Sequence, residues 1–191
     1  MVQRFIAQHA QKKIPLLFLL CLLLLTSCAA DAPEPEWKYG EDAIDIVYRA
    51  TPDLNTKDGD PNALLLVIYQ LKEVNEFNRL AGYTEGLKQL LEAKVFDESV
   101  MALKKIYIEP GGARRITLDR AEHTRFVGIV AGYYDLEPYR CVTVQDIEYE
   151  TEKHGLFKIW KNTKISLLGI SLTLGRDGLR VIRKTEVKRG S

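Results

Sequence analysis

Alternating apolar and polar positions predict that most of this chain forms β-strands. Residues 43–50 alternate around Ile44, Ile46 and Tyr48, and Leu64–Leu71 is an almost unbroken run of strand-forming residues. The same character returns in six later segments: 102–108, 114–118, 124–134, 140–147, 164–174 and 179–187. Because the segment at 124–134 is apolar on both faces, we expect it to be a central strand. About eight strands in this order predict a mainly β protein built as a β-sandwich.

A short helical segment is inserted after the second strand. In residues 74–96 the apolar positions recur at intervals of three and four, which predicts a short helix and a second helix starting after Thr84. The residues that form this period are Val74, Phe77, Leu80, Leu87, Leu90 and Leu91. Near the end of the chain, Gly175-Arg176-Asp177-Gly178 predicts a hairpin turn between the last two strands.

The connection between the first two predicted strands is unusually long. Residues 51–62 are twelve residues of turn-forming character, whereas a tight hairpin needs about two to five. A loop of this length is usually functional or disordered. We therefore expect it to contribute little to the hydrophobic core.

The N-terminus has the organisation of a secretion signal. Residues 1–13 contain Arg4, Lys12 and Lys13 and no acidic residue, and an unbroken apolar run of 12 residues follows at 14–25. Twelve helical residues rise only about 18 Å, too little to cross a hydrocarbon core of about 30 Å comfortably. We expect residues 1–27 to be a cleaved signal peptide.

The end of this signal resembles the lipobox of bacterial lipoproteins. The string Leu25-Thr26-Ser27-Cys28 implies that Cys28 becomes the lipidated first residue, and the alternative is an ordinary secretory signal with an incidental cysteine. Ala29 rather than an aspartate follows, which by resemblance to the sorting rule of Gram-negative lipoproteins implies the outer membrane. The Pro-containing acidic stretch at 28–42 predicts a flexible tether, with the β-sandwich domain at 43–191.

Charge and cysteine content exclude two classes of protein. With 27 basic and 26 acidic residues the formal charge is +1, which gives no electrostatic reason to expect nucleic acid. Three cysteines are too few for a disulfide framework. If Cys21 leaves with the signal and Cys28 is acylated, Cys141 has no intrachain partner. Because Cys141 lies in an apolar strand-like run, we expect it to be buried and unreactive.

The sequence contains no recognisable catalytic or metal-binding motif. His123 and His154 stand in different segments without zinc-ligand spacing, and there is neither a Gly-x-Ser-x-Gly elbow nor a phosphate-binding glycine loop. The acidic loop fails as an EF-hand, because Lys57 occupies a ligand position and Leu64 replaces the bidentate glutamate. We therefore predict no enzyme activity, no cofactor and no metal site.

An ordered series of short strings gives the chain a family resemblance over residues 28–187. The strings are the lipobox, Leu54-Asn55 with Gly59 and Pro61, Val67-Ile68-Tyr69-Gln70-Leu71-Lys72 with Phe77 and Leu80, Ile108-Glu109-Pro110-Gly111, Phe126-Val127-Gly128-Ile129-Val130-Ala131-Gly132-Tyr133-Tyr134-Asp135, and Tyr139-Arg140. In this order they resemble the TssJ/VasD family, the outer-membrane lipoproteins of type VI secretion systems.

The resemblance implies a transthyretin-like two-sheet β-sandwich, lipid-anchored at the periplasmic face of the outer membrane. It also implies binding to the periplasmic C-terminal region of TssM, an IcmF-like inner-membrane protein, within the secretion membrane complex. In this family the loop between the first two strands contacts the partner, which here assigns Asp53, Leu54, Asn55, Thr56, Lys57, Asp58, Gly59, Asp60 and Pro61. We expect its acids to pair with basic partner residues and Leu54 to supply an apolar anchor, the alternative being a merely mobile acidic loop.

Two other functions stay open on the sequence alone. The chain could be a lipid-anchored periplasmic enzyme with an unrecognised site, or a carrier that holds a ligand inside the sandwich. The stretch at 148–163 has no assigned role, and its aromatic residues Phe157 and Trp160 are interpreted as loop packing, with a second interface as the alternative.

Overall fold

The computed structural model describes residues 34–154 and 160–187, in which ten strands and three helices occur. The strands are β1 (Gly40–Ala50), β2 (Leu64–Leu71), β3 (Val100–Ile108), β4 (Ala113–Arg120), β5 (Phe126–Ala131), β6 (Val142–Asp146), β7 (Tyr149–His154), β8 (Trp160–Ile165), β9 (Leu167–Leu174) and β10 (Leu179–Val187). The helices are α1 (Asn75–Ala81), α2 (Thr84–Leu91) and α3 (Pro138–Cys141). The predicted mainly β fold and the two inserted helices are confirmed.

Two four-stranded sheets form the sandwich. The first has the strand order β10-β9-β1-β4, and the second has the order β3-β2-β5-β6. All neighbouring pairs are antiparallel except β1 and β9, which run parallel with Ile44 opposite Leu168 and Ala50 opposite Leu174. Strand β5 pairs with both β2 and β6, so the expectation of a central strand is confirmed.

One hydrophobic core includes residues of both sheets. In β1 the inward positions Ile44, Ile46, Tyr48 and Ala50 alternate with more exposed ones, as a strand with one covered face requires. Strand β2 is buried along nearly its whole length, because the helical insertion packs on the other face of the second sheet. Alternation therefore marks the strands of the first sheet, and continuous hydrophobicity marks the central strands of the second.

Helices α1 and α2 attach to the second sheet through their periodic apolar residues. Phe77, Leu80, Leu87 and Leu90 are fully buried in the common core. The Tyr69 hydroxyl of β2 donates a hydrogen bond of 2.5 Å to the carbonyl oxygen of Leu90, and burial raises the pKa of Tyr69 to about 12. Within the described residues, no helix has the length and apolar character of a membrane span.

The chain around Cys141 differs from the predicted strand at 140–147. Pro138 begins the short helix α3, Cys141 ends it, and the strand starts only at Val142. A proline fits the first turn of a helix because it has no N–H group to satisfy. The apolar character of the segment was interpreted correctly as burial but wrongly as extended structure before residue 142.

The stretch after β6 contains a hairpin that was not predicted from the sequence. Strands β7 and β8 form a separate two-stranded antiparallel sheet, with Tyr149 opposite Ile165. The predicted single strand at 164–174 is therefore divided at Ser166, whose N–H donates to the carbonyl of Glu148. Phe157 and the side chain of Trp160 lie outside the described residues, so the interpretation of these aromatics stays a prediction.

The N-terminal described segment, Glu34–Tyr39, is packed against the sandwich. Pro35 is buried, and the Trp37 ring meets the Tyr149 ring edge-on at 6.0 Å. The carbonyl of Trp37 accepts a 2.6 Å hydrogen bond from the N–H of His123. The expectation of a free tether up to residue 42 is therefore wrong from residue 34 onward. The expected signal peptide and the expected lipidation site, Cys28, lie outside the described residues.

Candidate partner-binding site

The first inter-strand loop, residues 51–62, connects the two sheets. Strand β1 belongs to the first sheet and β2 to the second, so the chain crosses one end of the sandwich between them. Packed sheets lie about 10 Å apart, whereas strands joined by a tight hairpin are neighbours in one sheet at about 4.8 Å. This crossing is the physical reason for the length of the loop.

The tip of the loop, residues 57–61, contains a tight turn. The N–H of Lys57 donates to the carbonyl of Asp60 over 2.9 Å, and the N–H of Asp60 donates to the carbonyl of Lys57 over 3.0 Å. Asp58 and Gly59 have φ angles of 54° and 97°. Positive φ at both central positions is typical of a type I′ turn, for which Asp-Gly is a favoured dipeptide. The Asp58-Gly59 dipeptide is the signal in the sequence from which this turn could have been predicted.

The base of the loop is part of the folded core. Leu54 is fully buried, and Asn55 is only 4% exposed. The Asn55 side chain donates through Nδ2 to the carbonyl of Ala63 at 3.1 Å and accepts through Oδ1 from the N–H of Tyr134 at 2.8 Å. The expectation that the loop contributes little to the core is therefore wrong at these two positions. Leu54 is not an exposed apolar anchor, because it covers the end of the sandwich.

The exposed part of the loop is acidic. Asp53, Asp58 and Asp60 are exposed, and Lys57 is the basic residue among them. Thr56 is half-buried, with its hydroxyl donating to the carbonyl of Asp53 at 2.7 Å. The assigned residues accessible to a partner are therefore Asp53, Thr56, Lys57, Asp58, Gly59, Asp60 and Pro61.

The β9–β10 turn, residues 175–178, lies beside the loop. The N–H of Asn55 donates to the carbonyl of Gly175 at 3.3 Å, and the N–H of Thr56 donates to the carbonyl of Arg176 at 3.2 Å. The turn closes with a hydrogen bond of 2.9 Å from Gly175 to Gly178, which confirms the predicted hairpin. Its contact with the loop joins residues about 120 positions apart, so no local sequence pattern could have predicted it.

The loop and the N-terminal segment lie at opposite ends of β1. Gly40, at the start of the strand, follows the packed segment Glu34–Tyr39, and Ala50 at its end leads into the loop. Because β1 is irregular between Gly40 and Ile44, where Asp42 has a φ of 47°, its register against β4 gives a span of about 26 Å. The two ends of the sandwich are thus defined by the segment that precedes β1 and the loop that follows it.

The described residues include one free cysteine and no cluster suited to a metal ion. Cys141 is fully buried, and this burial raises the pKa of its thiol. The predicted burial is confirmed, whereas its low reactivity stays a prediction. Among the described residues, no three side chains of His, Cys, Asp or Glu are placed to hold a metal ion. His123 is exposed, and its backbone N–H donates a hydrogen bond to the carbonyl oxygen of Trp37.

Comparison with known proteins identifies a family for the chain. The model of the type VI secretion lipoprotein family, described as VasD, EvfM, TssJ and VC_A0113, matches residues 42–165, well over half of the chain. The resemblance predicted from the sequence is confirmed. No match was found among curated protein sequences.

Solved structures support the same fold. The T6SS lipoprotein TssJ1 from Pseudomonas aeruginosa is 22% identical with a TM-score of 0.55, covering 79% of this chain and 98% of its own. Serratia marcescens Lip, a membrane-bound component of the type VI secretion system, is 19% identical with a TM-score of 0.56, covering 74% and 98%. A chain from the structure of the T6SS protein TssM C-terminal domain from EAEC is 18% identical with a TM-score of 0.52, covering 73% and 97%. At these identities the matches establish the β-sandwich fold.

Proposed function

Because the chain belongs to the type VI secretion lipoprotein family, we propose that it is the outer-membrane-anchored periplasmic lipoprotein of the secretion membrane complex and binds the periplasmic region of TssM. The family is one of membrane-bound secretion components rather than a known enzyme family. The proposed contact is the exposed part of the first inter-strand loop. TssM enters the proposal through the family resemblance and through the structural similarity to a chain from the TssM C-terminal domain structure.

The opposite placement of the N-terminal segment and the loop is the observation that best supports this function. Cys28, the proposed lipidation site, precedes Glu34 by six positions, which reach at most about 20 Å. A lipid at Cys28 would hold the sandwich by the end that carries Glu34–Tyr39. The loop, about 26 Å along β1, would then face away from the outer membrane. That is the orientation needed to meet a partner anchored in the inner membrane.

The chemistry of the loop suits a basic partner surface. Asp53, Asp58 and Asp60 are exposed on a loop whose base is fixed by Leu54 and Asn55. A fixed base lowers the conformational entropy lost on binding, and exposed carboxylates can pair with arginine or lysine. We propose a binding role without catalysis, and none of the described residues favours the alternatives of an enzyme or a ligand carrier.

The anchor is tested by replacing the proposed lipidation site. Cys28→Ser should leave the domain folded but remove it from outer-membrane fractions, because covalent lipid holds it there. The melting temperature of the released protein should match that of the lipoprotein. Mutant protein found unchanged in outer-membrane fractions would mean that the anchor lies elsewhere.

The loop contact is tested by removing charge without changing the turn. The double variant Asp58→Asn, Asp60→Asn keeps residues that suit a tight turn and should weaken binding to the purified TssM periplasmic region at least fivefold, at an unchanged melting temperature. The matched control is Glu73→Gln, Glu98→Gln, two exposed acids near the other end of β2 and β3. Equal affinities of the two double variants would exclude the acidic tip as the contact.

A further inference from the structure

Two tyrosines beside the first inter-strand loop expose most of their surface to solvent. Tyr134 is 56% exposed and Tyr139 is 77% exposed, although Tyr133 between β5 and these residues is only 4% exposed. Both belong to the segment 133–141, which lies between β5 and β6 and includes α3. Exposed tyrosines are frequent energetic anchors of protein interfaces, because a tyrosine buries a large area with few rotatable bonds.

Hydrogen bonds join this segment, the loop and the β9–β10 turn into one surface. Asn55 holds the backbone of Tyr134 through a 2.8 Å hydrogen bond, and Asn55 and Thr56 bond to the turn. Arg140 of α3 donates to Asp177 of the turn at 2.8 Å. We call the exposed residues of these three segments the docking surface. Since each segment is bonded to another, their backbones have fixed relative positions.

Arg140 also makes a cation–π contact with the aromatic ring of Tyr139. Its guanidinium carbon lies 5.7 Å from the centre of that ring, and its Nε lies 3.5 Å from the carboxylate of Glu137. The same guanidinium therefore contacts Tyr139, Glu137 and Asp177. This contact favours one orientation of the Tyr139 ring, which lowers the conformational entropy lost when a partner covers it.

The charges around the two rings indicate the chemistry of the partner. On the docking surface five exposed acids outnumber two exposed bases: Asp53, Asp58, Asp60, Asp135 and Asp177 against Lys57 and Arg176. An anionic lipid surface or a nucleic acid would be repelled by this balance. Arginine and lysine side chains of a protein could both stack on the rings and pair with the carboxylates.

We propose that Tyr134 and Tyr139 are the aromatic anchors of the docking surface and that a basic face of the TssM periplasmic region covers them. This inference rests on the proposed function and extends its contact from the acidic loop to the segment 133–141. The loop supplies complementary charge, and the two rings supply most of the buried apolar area.

The test measures binding of the full lipoprotein in detergent to the purified TssM periplasmic region. The double variant Tyr134→Ala, Tyr139→Ala should bind at least tenfold more weakly than the wild type. Tyr134→Phe, Tyr139→Phe should stay within threefold, because the ring rather than the hydroxyl makes the contact. The matched control is Tyr107→Ala, since Tyr107 is 74% exposed but lies on β3, the opposite edge of the second sheet from β6.

The possible results distinguish a failure of this inference from a failure of the proposed function. Equal affinities of the Tyr134/Tyr139 and Tyr107 alanine variants would overturn the inference, and the Asp58/Asp60 double variant would still test the loop. No binding by the wild type would overturn both. An affinity that does not fall with added salt would overturn the assignment of a basic partner face.

A second measurement tests the same contact without alanine variants, so its result does not depend on whether those variants fold. A photoreactive phenylalanine analogue at position 139 in the full chain keeps an aromatic ring and should crosslink to TssM in cells that assemble the secretion system. The same analogue at position 107 should give no TssM adduct. Crosslinks of equal yield at both positions, or at neither, would overturn the inference.

Discussion

The ring of Phe77 lies directly against Gly128. A β-carbon added to Gly128 would stand 2.6 Å from Cζ of Phe77 and within 3.0 Å of two further ring atoms. Gly128 is in the middle of β5, and Phe77 is the first fully buried residue of α1. The glycine thus lets the helical insertion approach the second sheet closely, where any side chain would push the two apart.

We expect Gly128→Ala to lower the free energy of unfolding by about 1–3 kcal/mol, the usual cost of overpacking a core. Urea denaturation monitored by circular dichroism measures the change. Gly175→Ala is the control, because a β-carbon there meets only the carbonyl oxygen of Gly178 at an ordinary 3.5 Å. If both variants unfolded at the same urea concentration, the close packing of Phe77 would have no energetic role.

Within the first inter-strand loop, a substitution at the buried base should lower the stability of the fold, whereas a substitution at the exposed tip should not. Leu54→Ala should lower the free energy of unfolding by about 2–5 kcal/mol, because Leu54 is fully buried in the core. Asp60→Ala, at the exposed tip, should change it by less than about 0.5 kcal/mol. Thermal denaturation distinguishes the two. A Leu54→Ala variant as stable as the wild type would contradict the burial of Leu54 in the core and would leave its side chain free to contact a partner.

Cys141 should react slowly with thiol reagents in the native protein. Its side chain is fully buried, and burial raises the pKa of the thiol, so little reactive thiolate is present at neutral pH. Alkylation followed by peptide mass mapping should show Cys141 labelled in denaturant and unlabelled without it. Rapid native labelling would mean that α3 opens readily.

The contribution of the Tyr39–Asp119 contact to stability should be lost at acid pH. The Tyr39 hydroxyl donates to Asp119 at 2.5 Å and the N–H of Asp42 donates at 2.9 Å, which together lower the pKa of the Asp119 carboxyl. Because the pKa of Asp119 is lower in the folded state, its carboxylate stabilises the fold at pH values above its unfolded-state pKa of about 3.9. This contribution disappears as the pH falls through the folded-state pKa. The melting temperature of Asp119→Ala should therefore lie below that of the wild type at pH 7 and approach it at pH values well below 3.9. A difference that persists unchanged into strong acid would contradict this assignment.

Sequence periodicity identified the elements whose burial repeats along the chain. Strand β1 showed alternation because one of its faces is covered, and β5 showed a continuous apolar run because both faces are covered. The helices appeared where the apolar interval changed from two to three and four. The family was recognisable for a related reason, because its strings are short local segments in a fixed order.

The tertiary structure decided the roles that depend on contacts between distant segments. The burial of Leu54 and Asn55 follows from the crossing between the two sheets, and the packing of Trp37 depends on β7 far along the chain. The polar hairpin of β7 and β8 has no hydrophobic pattern, so only its pairing reveals it. The exposed surface formed by the loop, the segment 133–141 and the β9–β10 turn also depends on contacts between segments that are distant in the sequence. Sequence periodicity records which face of a residue's own element is buried, whereas a surface built from three separated segments exists only after the sheets have packed.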